Sequence, residues 1–318
     1  VTMFYWIARR LAAIGATLVV LSFVVFALLY LAPGRPEEVL LGTRPATPET
    51  LAAIRAKYHL DEPFLAQYLH WAGDALRLQF GESIQSGQAV TAVIGERLPI
   101  TIMLAAYAVA LVVVVAVPSG LLAGARPGSR FDRAATMVST FGFGAPAFVI
   151  GIVMLYVFGI VLGWFPVYGG GSDDLLDRLH HLTLPALALT VSVAAIVFRQ
   201  TRAATMSVTH ADYMTFASTR GLPRRLVWGR YRLRNSSLPV ITSVGAIVAF
   251  FLTGAVVVEQ VFSLPGIGSQ LVGAVNTKDV PVIQALALLM AAFILLINLI
   301  CDVVYLLVDP RLRKAMVA

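Results

Sequence analysis

Charged residues are scarce in this sequence. Asp, Glu, Lys and Arg make up 13% of its 318 residues, where a soluble domain carries about 25%; 58% are hydrophobic and the mean hydropathy is +0.83. No soluble core absorbs that much apolar surface, so the chain reads as an integral membrane protein. Cysteine is nearly absent: Cys301 alone excludes an intramolecular disulfide, and its place in an apolar run makes it a small buried hydrophobe. The three lysines, Lys57, Lys278 and Lys314, follow Ala56, Thr277 and Arg313, so none completes a Gly-Lys-Ser/Thr phosphate loop and no Walker site is present. The five histidines, His59, His70, His180, His181 and His210, show no zinc-protease spacing, and no metal site is expected. Nor is there a Gly-x-Ser-x-Gly elbow. No catalytic residue is therefore expected, and a membrane-bound hydrolase is disfavoured.

Six segments approach the roughly 20 apolar residues that a transmembrane helix needs: Leu11 to Leu31, Ile100 to Ala125, Thr136 to Phe165, Thr183 to Phe198, Leu238 to Val258, and Val282 to Val308. The first follows Arg9 and Arg10 but is too long for a signal peptide and lacks a small-x-small cleavage pattern, so it is expected to be retained. The fourth is short, and its helix is expected to run past Arg199 toward Arg202, whose long stems can snorkel. The net charge of +7 comes from arginines that flank apolar runs rather than from one basic patch, which is a mark of orientation and not of nucleic-acid binding. Sixteen of the 24 Lys and Arg fall at the N-terminus, between spans two and three, between spans four and five, and at the C-terminus, which places both termini in the cytoplasm.

The implied organisation is an N-terminus and first span over 1–31, a helical extracytoplasmic insertion over 32–99, a core over 100–308 with a cytoplasmic loop at 199–238, and a tail at 309–318. In the insertion, Thr47-Pro48-Glu49 marks a helix start, and a second helix is expected from Glu62 or Pro63 to Leu78. The fold class is thus all-α, with six transmembrane helices and a small insertion between the first two.

The cytoplasmic loop contains Asp212 to Gly221, which reads as a short capped helix. Asp212 can accept from the first-turn N–H groups, Gly221 can take the left-handed position that ends the helix, and Pro223 blocks continuation. Tyr213, Phe216, Ala217 and Arg220 recur at spacings of three and four and form one face. Such a face can lie on lipid headgroups or dock in a protein groove; its length and its place between two spans favour docking.

Two acids approach membrane depth, Glu259 after the fifth apolar run and Asp302 in the sixth. An ion relay would want them at the midplane; near the interfaces, pairing with a neighbouring loop is the alternative. Gly142, Gly144 and Pro146, Pro118 and Pro185 interrupt spans, either as hinges or as sites of close helix packing.

The sequence resembles the permease subunits of bacterial ATP-binding-cassette importers, in particular the first permease of dipeptide, oligopeptide and nickel uptake systems, over nearly its whole length. The resemblance rests on Leu31-Ala32-Pro33-Gly34; on Leu60-Asp61-Glu62-Pro63 with Gln67-Tyr68-Leu69 and Trp71; and on Phe80-Gly81-Glu82-Ser83. It extends through Leu162-Gly163-Trp164-Phe165-Pro166-Val167, Glu259 with Val261 to Gly268, and Asn298 to Asp302 with Asp309-Pro310-Arg311. The Asp212–Gly221 stretch is similar to that family's cytoplasmic coupling loop, the EAA loop: Ala217 and Gly221 hold its second alanine and its glycine, while Thr215 and Phe216 stand in place of its acid and first alanine.

The resemblance implies the type I importer permease fold, with Asp212, Tyr213, Phe216, Ala217, Arg220 and Gly221 as the helix that docks on an ATPase, and Arg199, Arg202, Arg234, Asn235 and Pro239 as support for its loop. Glu259, Pro265, Gly266 and Gly268 are gating or structural candidates. A second permease, two ATPases that hold ATP and magnesium, and an extracytoplasmic substrate-binding protein are the implied partners in the bacterial inner membrane, with no cofactor bound by this chain. Peptides are the leading substrate; nickel, haem or glutathione would leave much the same sequence, and an ion-coupled secondary transporter is the alternative of another class.

Overall fold

Membrane depth demands that each backbone bond be satisfied within its own segment, and the described chain answers with helices throughout. The computed structural model describes residues 2–31, 34–41 and 45–308, so the expectations for Ala32, Pro33, Asp309, Pro310, Arg311 and the tail lie outside the described residues. In chain order the helices are α1 (Thr2–Leu31), α2 (Pro36–Leu41), α3 (Pro48–Lys57), α4 (Phe64–Leu76), α5 (Val90–Ala125), α6 (Arg130–Phe143) and α7 (Ala147–Met154), which continues as a π-helical segment over Leu155–Val161. Then come α8 (Leu175–Thr209), α9 (Asp212–Thr219), α10 (Arg224–Leu226) with a π-helical segment over Val227–Leu233, α11 (Arg234–Val261), α12 (Ile267–Thr277) and α13 (Val280–Val308). Glu82 and Ala89 form an isolated antiparallel bridge.

Among the described residues four helices are long and apolar enough to cross a membrane: Tyr5–Leu31, Val90–Ala125, Leu175–Thr209 and Val280–Val304. A fifth crossing is the bent pair Arg130–Gly142 and Ala147–Val161, whose halves meet at 100°. The remaining apolar run, Leu238 to Val258, lies inside the unbroken 28-residue α11, about 42 Å at 1.5 Å per residue.

Three expected boundaries are corrected. Thr136 to Phe165 is not one rod: Pro146 has no N–H and keeps Ala145 from the α conformation, so the chain breaks at 144–146. Gly142 and Gly144 differ in their surroundings. A Cβ on Gly142 would lie 3.3 Å from the Val191 carbonyl oxygen, a packing constraint, whereas Gly144 meets nothing within 4 Å and sits at the bend. The second span begins at Val90 instead of Ile100, because the Val90 N–H closes the 81–90 turn on the Gly81 carbonyl at 3.0 Å and the helix starts there, absorbing Pro99. The fourth span extends from Leu175 to Thr209, well beyond both ends of its apolar run.

The chain divides into two units. One comprises residues 1–101 and 265–296. Its α3 starts as expected: Thr47 caps it, accepting from the Thr50 N–H at 3.2 Å while the Thr50 hydroxyl takes the Thr47 N–H at 3.0 Å, with Pro48 at the first position. Against α1, the rings of Phe64, Tyr68 and Trp71 of α4 pack on Phe23, Phe26 and Tyr30, and the Tyr68 and Ser22 hydroxyls meet at 2.9 Å. Buried Gln284 ties α13 to α1 by donating to the Val25 and Phe26 carbonyls. Asp279, also buried, precedes α13 and gathers the 83–86 turn, accepting from the Ser83 hydroxyl at 2.5 Å and from the Ile84 and Gln85 N–H groups.

The other unit comprises residues 102–264 and 297–318, with α8 packed against α6, α7 and α11. Here α5 meets α8 through two glycines. A Cβ on Gly120 would sit 2.7 Å from Thr201 Cβ and 2.8 Å from the Phe198 oxygen; one on Gly124 would sit 2.5 Å from the Arg202 oxygen. Gly120 and Gly124 form the small-x-x-x-small pattern that lets two membrane helices touch backbone to backbone. Gly124→Val is expected to cost at least about 1–3 kcal/mol of overpacking and to lower the yield and melting temperature of detergent-solubilised protein. Gly73→Ala, in α4 where nothing lies within 4 Å, is expected to be neutral or stabilising in the same assay.

A second prediction concerns pH. Buried Glu37 accepts from Arg55 at 2.6 Å, and that hydrogen bond holds its carboxyl below the ordinary value of 4.5. A lowered pKa stabilises the fold above the unfolded value and ceases to do so as pH falls through the folded one. The advantage of wild type over Glu37→Gln in thermal unfolding is therefore expected near pH 7 and to shrink as pH falls below the ordinary carboxylate value.

Candidate functional site

Long helices position the polar groups of the second unit. α8 carries Arg199 and Arg202 within its length rather than at its end. Arg202 clasps the buried Asp132 of α6 with two bonds, Nε to Oδ1 at 2.5 Å and Nη2 to Oδ2 at 2.9 Å. The same carboxylate accepts the Gly128 N–H at 2.8 Å, and the Asp132 N–H is capped by the Ser129 hydroxyl at 3.1 Å, so one acid fixes both the 126–129 turn and the start of α6. Arg199 donates to the Thr140 hydroxyl at 3.3 Å. Both arginines reach side chains of α6, because α8 continues three turns past Phe198 and holds them beside it.

After His210, α9 runs from Asp212 to Thr219. Asp212 occupies the first helical position, not the cap, and there its charge still complements the helix dipole. The other end is as expected. Gly221 has φ +68°, and the Leu222 N–H reaches back to the Ala217 carbonyl at 3.3 Å, the glycine-based helix stop. Pro223 follows.

The expected single face divides. Tyr213, Phe216 and Arg220 are exposed, and the Arg220 guanidinium lies 4.6 Å over the Phe216 ring. Ala217 is buried with Met214 on the inner side, where α9 packs against the Val227–Leu233 segment. At 100° per residue position 217 lies between 213 and 214, and a methyl group is small enough to be covered there. The result is a short helix held from within, showing two aromatics and a cation outward.

Between α8, which ends at Thr209, and α11, which begins at Arg234, lie residues 210–233. Arg234 and the exposed Asn235 form the first turn of α11; Pro239 lies in that helix, its side chain outside the described residues. At the far end of α11, Glu259 is fully buried and engaged by other groups of the chain, as is half-buried Asp302 of α13. The Glu259 carbonyl accepts the Leu264 N–H at 2.8 Å around Ser263, which takes φ +49° without being glycine. In the first unit Gly266 caps α12: its N–H donates to the Ser269 hydroxyl at 3.2 Å, while the Ile267 N–H donates to the Thr101 hydroxyl at 3.0 Å. Pro265 precedes this cap and Gly268 is buried within the first turn.

Residues 116–314 match the family model described as binding-protein-dependent transport system inner membrane component, and residues 3–105 match the N-terminal model of the same system. The chain belongs to this family of binding-protein-dependent transport permeases. Similar family members include a probable peptide ABC transporter permease of Sinorhizobium fredii, 37% identical with 97% of this chain and 99% of the relative covered. An oligopeptide transport system permease of Bacillus subtilis is 35% identical over 97% and 99%, and a glutathione transport system permease of Escherichia coli 33% over 98% and 99%. As a family member the chain is a multi-pass inner membrane component, and its α9 falls in the larger matched region.

Asp132, Gly120 and Gly124 were not among the sequence-derived candidates. The two glycines carried a signal, Gly-x-x-x-Gly in an apolar run; Asp132 carried none, since its partner lies 70 positions away. Among the histidines, His59 and His70 meet Glu62, which their spacing did not suggest.

Asp132→Ala strands the Arg202 guanidinium in a half-buried place and is expected to cost about 3 kcal/mol, read as a lower melting temperature. Gly221→Val forces a branched residue into a left-handed position and is expected to cost about 1–2 kcal/mol, with protection of α9 amides from hydrogen exchange falling most.

Proposed function

We propose that this chain is one half of the translocation pathway of an ATP-driven importer of peptides, and that α9 carries the force of ATP hydrolysis into it. The observation that carries the proposal is the outward surface of α9, with Tyr213 and Phe216 exposed and Arg220 braced across the ring, on a helix whose inner side and C-terminal stop are fixed. Aromatics of this kind anchor a helix in an apolar groove while a cation pairs at the rim. The groove belongs to a separate ATPase subunit, which binds ATP and magnesium; this chain itself is not catalytic. A second permease pairs with this one, two ATPases sit beneath, and an extracytoplasmic binding protein delivers the substrate.

ATP binding closes the ATPases, α9 moves with them, and the Arg202–Asp132 clasp passes the movement from α8 to α6, so that the paired bundles alternate between outward and inward openings. Peptides are the proposed cargo because the similar permeases named for oligopeptides and peptides cover nearly the whole chain. Glutathione, itself a tripeptide, is the second reading, supported by the permease named for it. Both termini and α9 are cytoplasmic, and the 32–99 segment is extracytoplasmic, by the distribution of arginine.

Tyr213→Asp combined with Phe216→Asp is expected to leave membrane insertion intact and to abolish uptake while ATPase activity of the assembled complex no longer responds to substrate. Uptake at the wild-type rate would remove the proposal. For topology, in a Cys301→Ala background, Ser86→Cys is expected to react with an impermeant maleimide from outside intact spheroplasts and Thr215→Cys only after lysis. The reverse pattern would invert the assignment.

A further inference from the structure

The first unit brings together a constellation unrelated to α9. His59 Nδ1 lies 3.2 Å from one oxygen of Glu62, and His70 Nε2 lies 3.2 Å from the other. The two imidazoles stack with centroids 4.3 Å apart and planes inclined by 15°. One donor atom from each of the three residues falls within 4.8 Å of the others, and all three side chains are open to solvent. We propose that His59, Glu62 and His70 form a site for a divalent transition metal.

Three observations separate this from an incidental ion-pair cluster. His59 follows α3 at φ +55°, and the Leu60 N–H reaches back to the Arg55 carbonyl at 3.0 Å, so His59 stands where a helix stop favours glycine. A side chain is strained there, and what histidine adds is an imidazole directed at Glu62.

The loop that carries two of the donors is also held in place. Buried Gln67 of α4 donates to the Leu60 and Glu62 carbonyls at 3.2 and 2.7 Å, and its side-chain oxygen accepts from the Tyr30 hydroxyl. The third donor, His70, stands on the same helix one turn after Gln67. Ligands on a rigid helix and a clamped turn are the arrangement a metal site requires.

Finally, His59 and His70 line a cavity of about 190 Å³ with Lys57, Asp74 and Gln79, which leaves room for the water that completes the coordination of a three-ligand ion. Two imidazoles and one carboxylate suit zinc, nickel or copper and disfavour magnesium and calcium, which prefer all-oxygen sites. All three side chains are exposed, so the imidazoles can turn out of their stack to bring their nitrogens to the roughly 2.0–2.2 Å bonds of zinc.

The test uses the full chain in nanodiscs, purified through a histidine-free tag, stripped with EDTA and titrated with Zn(II) against a chromophoric chelator, with Co(II) absorption reporting geometry. About one Zn(II) per chain is expected. His59→Asn, which keeps a residue tolerant of the left-handed position, and His70→Ala are each expected to weaken binding by more than about tenfold, the loss that follows even removal of a group that only supports a ligand. Glu62→Gln is expected to do the same, with circular dichroism and melting temperature confirming the fold. His180→Ala with His181→Ala is expected to bind as wild type does. Failure to bind one equivalent, unchanged affinity in both His59→Asn and His70→Ala, or loss only in the His180/His181 variant would overturn the assignment.

Discussion

Two glycines one helical turn apart set the geometry of the second unit. In lipid there is little hydrophobic force to press helices together, so proximity comes from surface that fits. Gly120 and Gly124 allow the α5 backbone to lie on Phe198, Thr201 and Arg202 of α8 at distances no side chain would permit. That contact fixes where α8 runs and hence where its arginines fall. Arg202 meets Asp132 because α8 is held; α6 is held because Asp132 is met; and the chain leaves α8 toward α9 from a fixed point.

The permeating polarity of this unit is confined in the same way. Asp132 is buried yet surrounded by donors: two from Arg202, one from Gly128 and the hydroxyl of Thr136. A carboxylate so enclosed binds distant parts of the chain in one place, and removing either partner costs far more than the pair contributes net. Asp279 has the equivalent role in the first unit, collecting a hydroxyl and two N–H groups of the 83–86 turn at the start of α13. Each acid joins elements far apart in sequence.

Much of this was legible beforehand, because local chemistry decides it. The Thr47-Pro48 start of α3, the left-handed stop at Gly221 and the apolar runs inside α1, α5, α8, α11 and α13 all follow from short-range rules. What escaped was non-local or larger than an apolar run. Hydropathy reports where lipid contact ends, not where a helix ends, so α8 proved far longer than Thr183 to Phe198. The third span looked continuous because Gly144-Ala145-Pro146 is itself apolar. For the site, the positions of Tyr213, Phe216 and Arg220 were readable from helical spacing, but Ala217 turned inward because its neighbours could cover it. The partners of Arg199 and Arg202 had no signature at all.

The two sides of α9 answer to different constraints. Met214 and Ala217 are confined by the chain's own packing, so any enlargement there deforms the permease itself. Tyr213, Phe216 and Arg220 face outward, so their identity is set by little within this chain. Such a division leaves one stripe of three residues open to substitution while the fold that holds it stays unchanged.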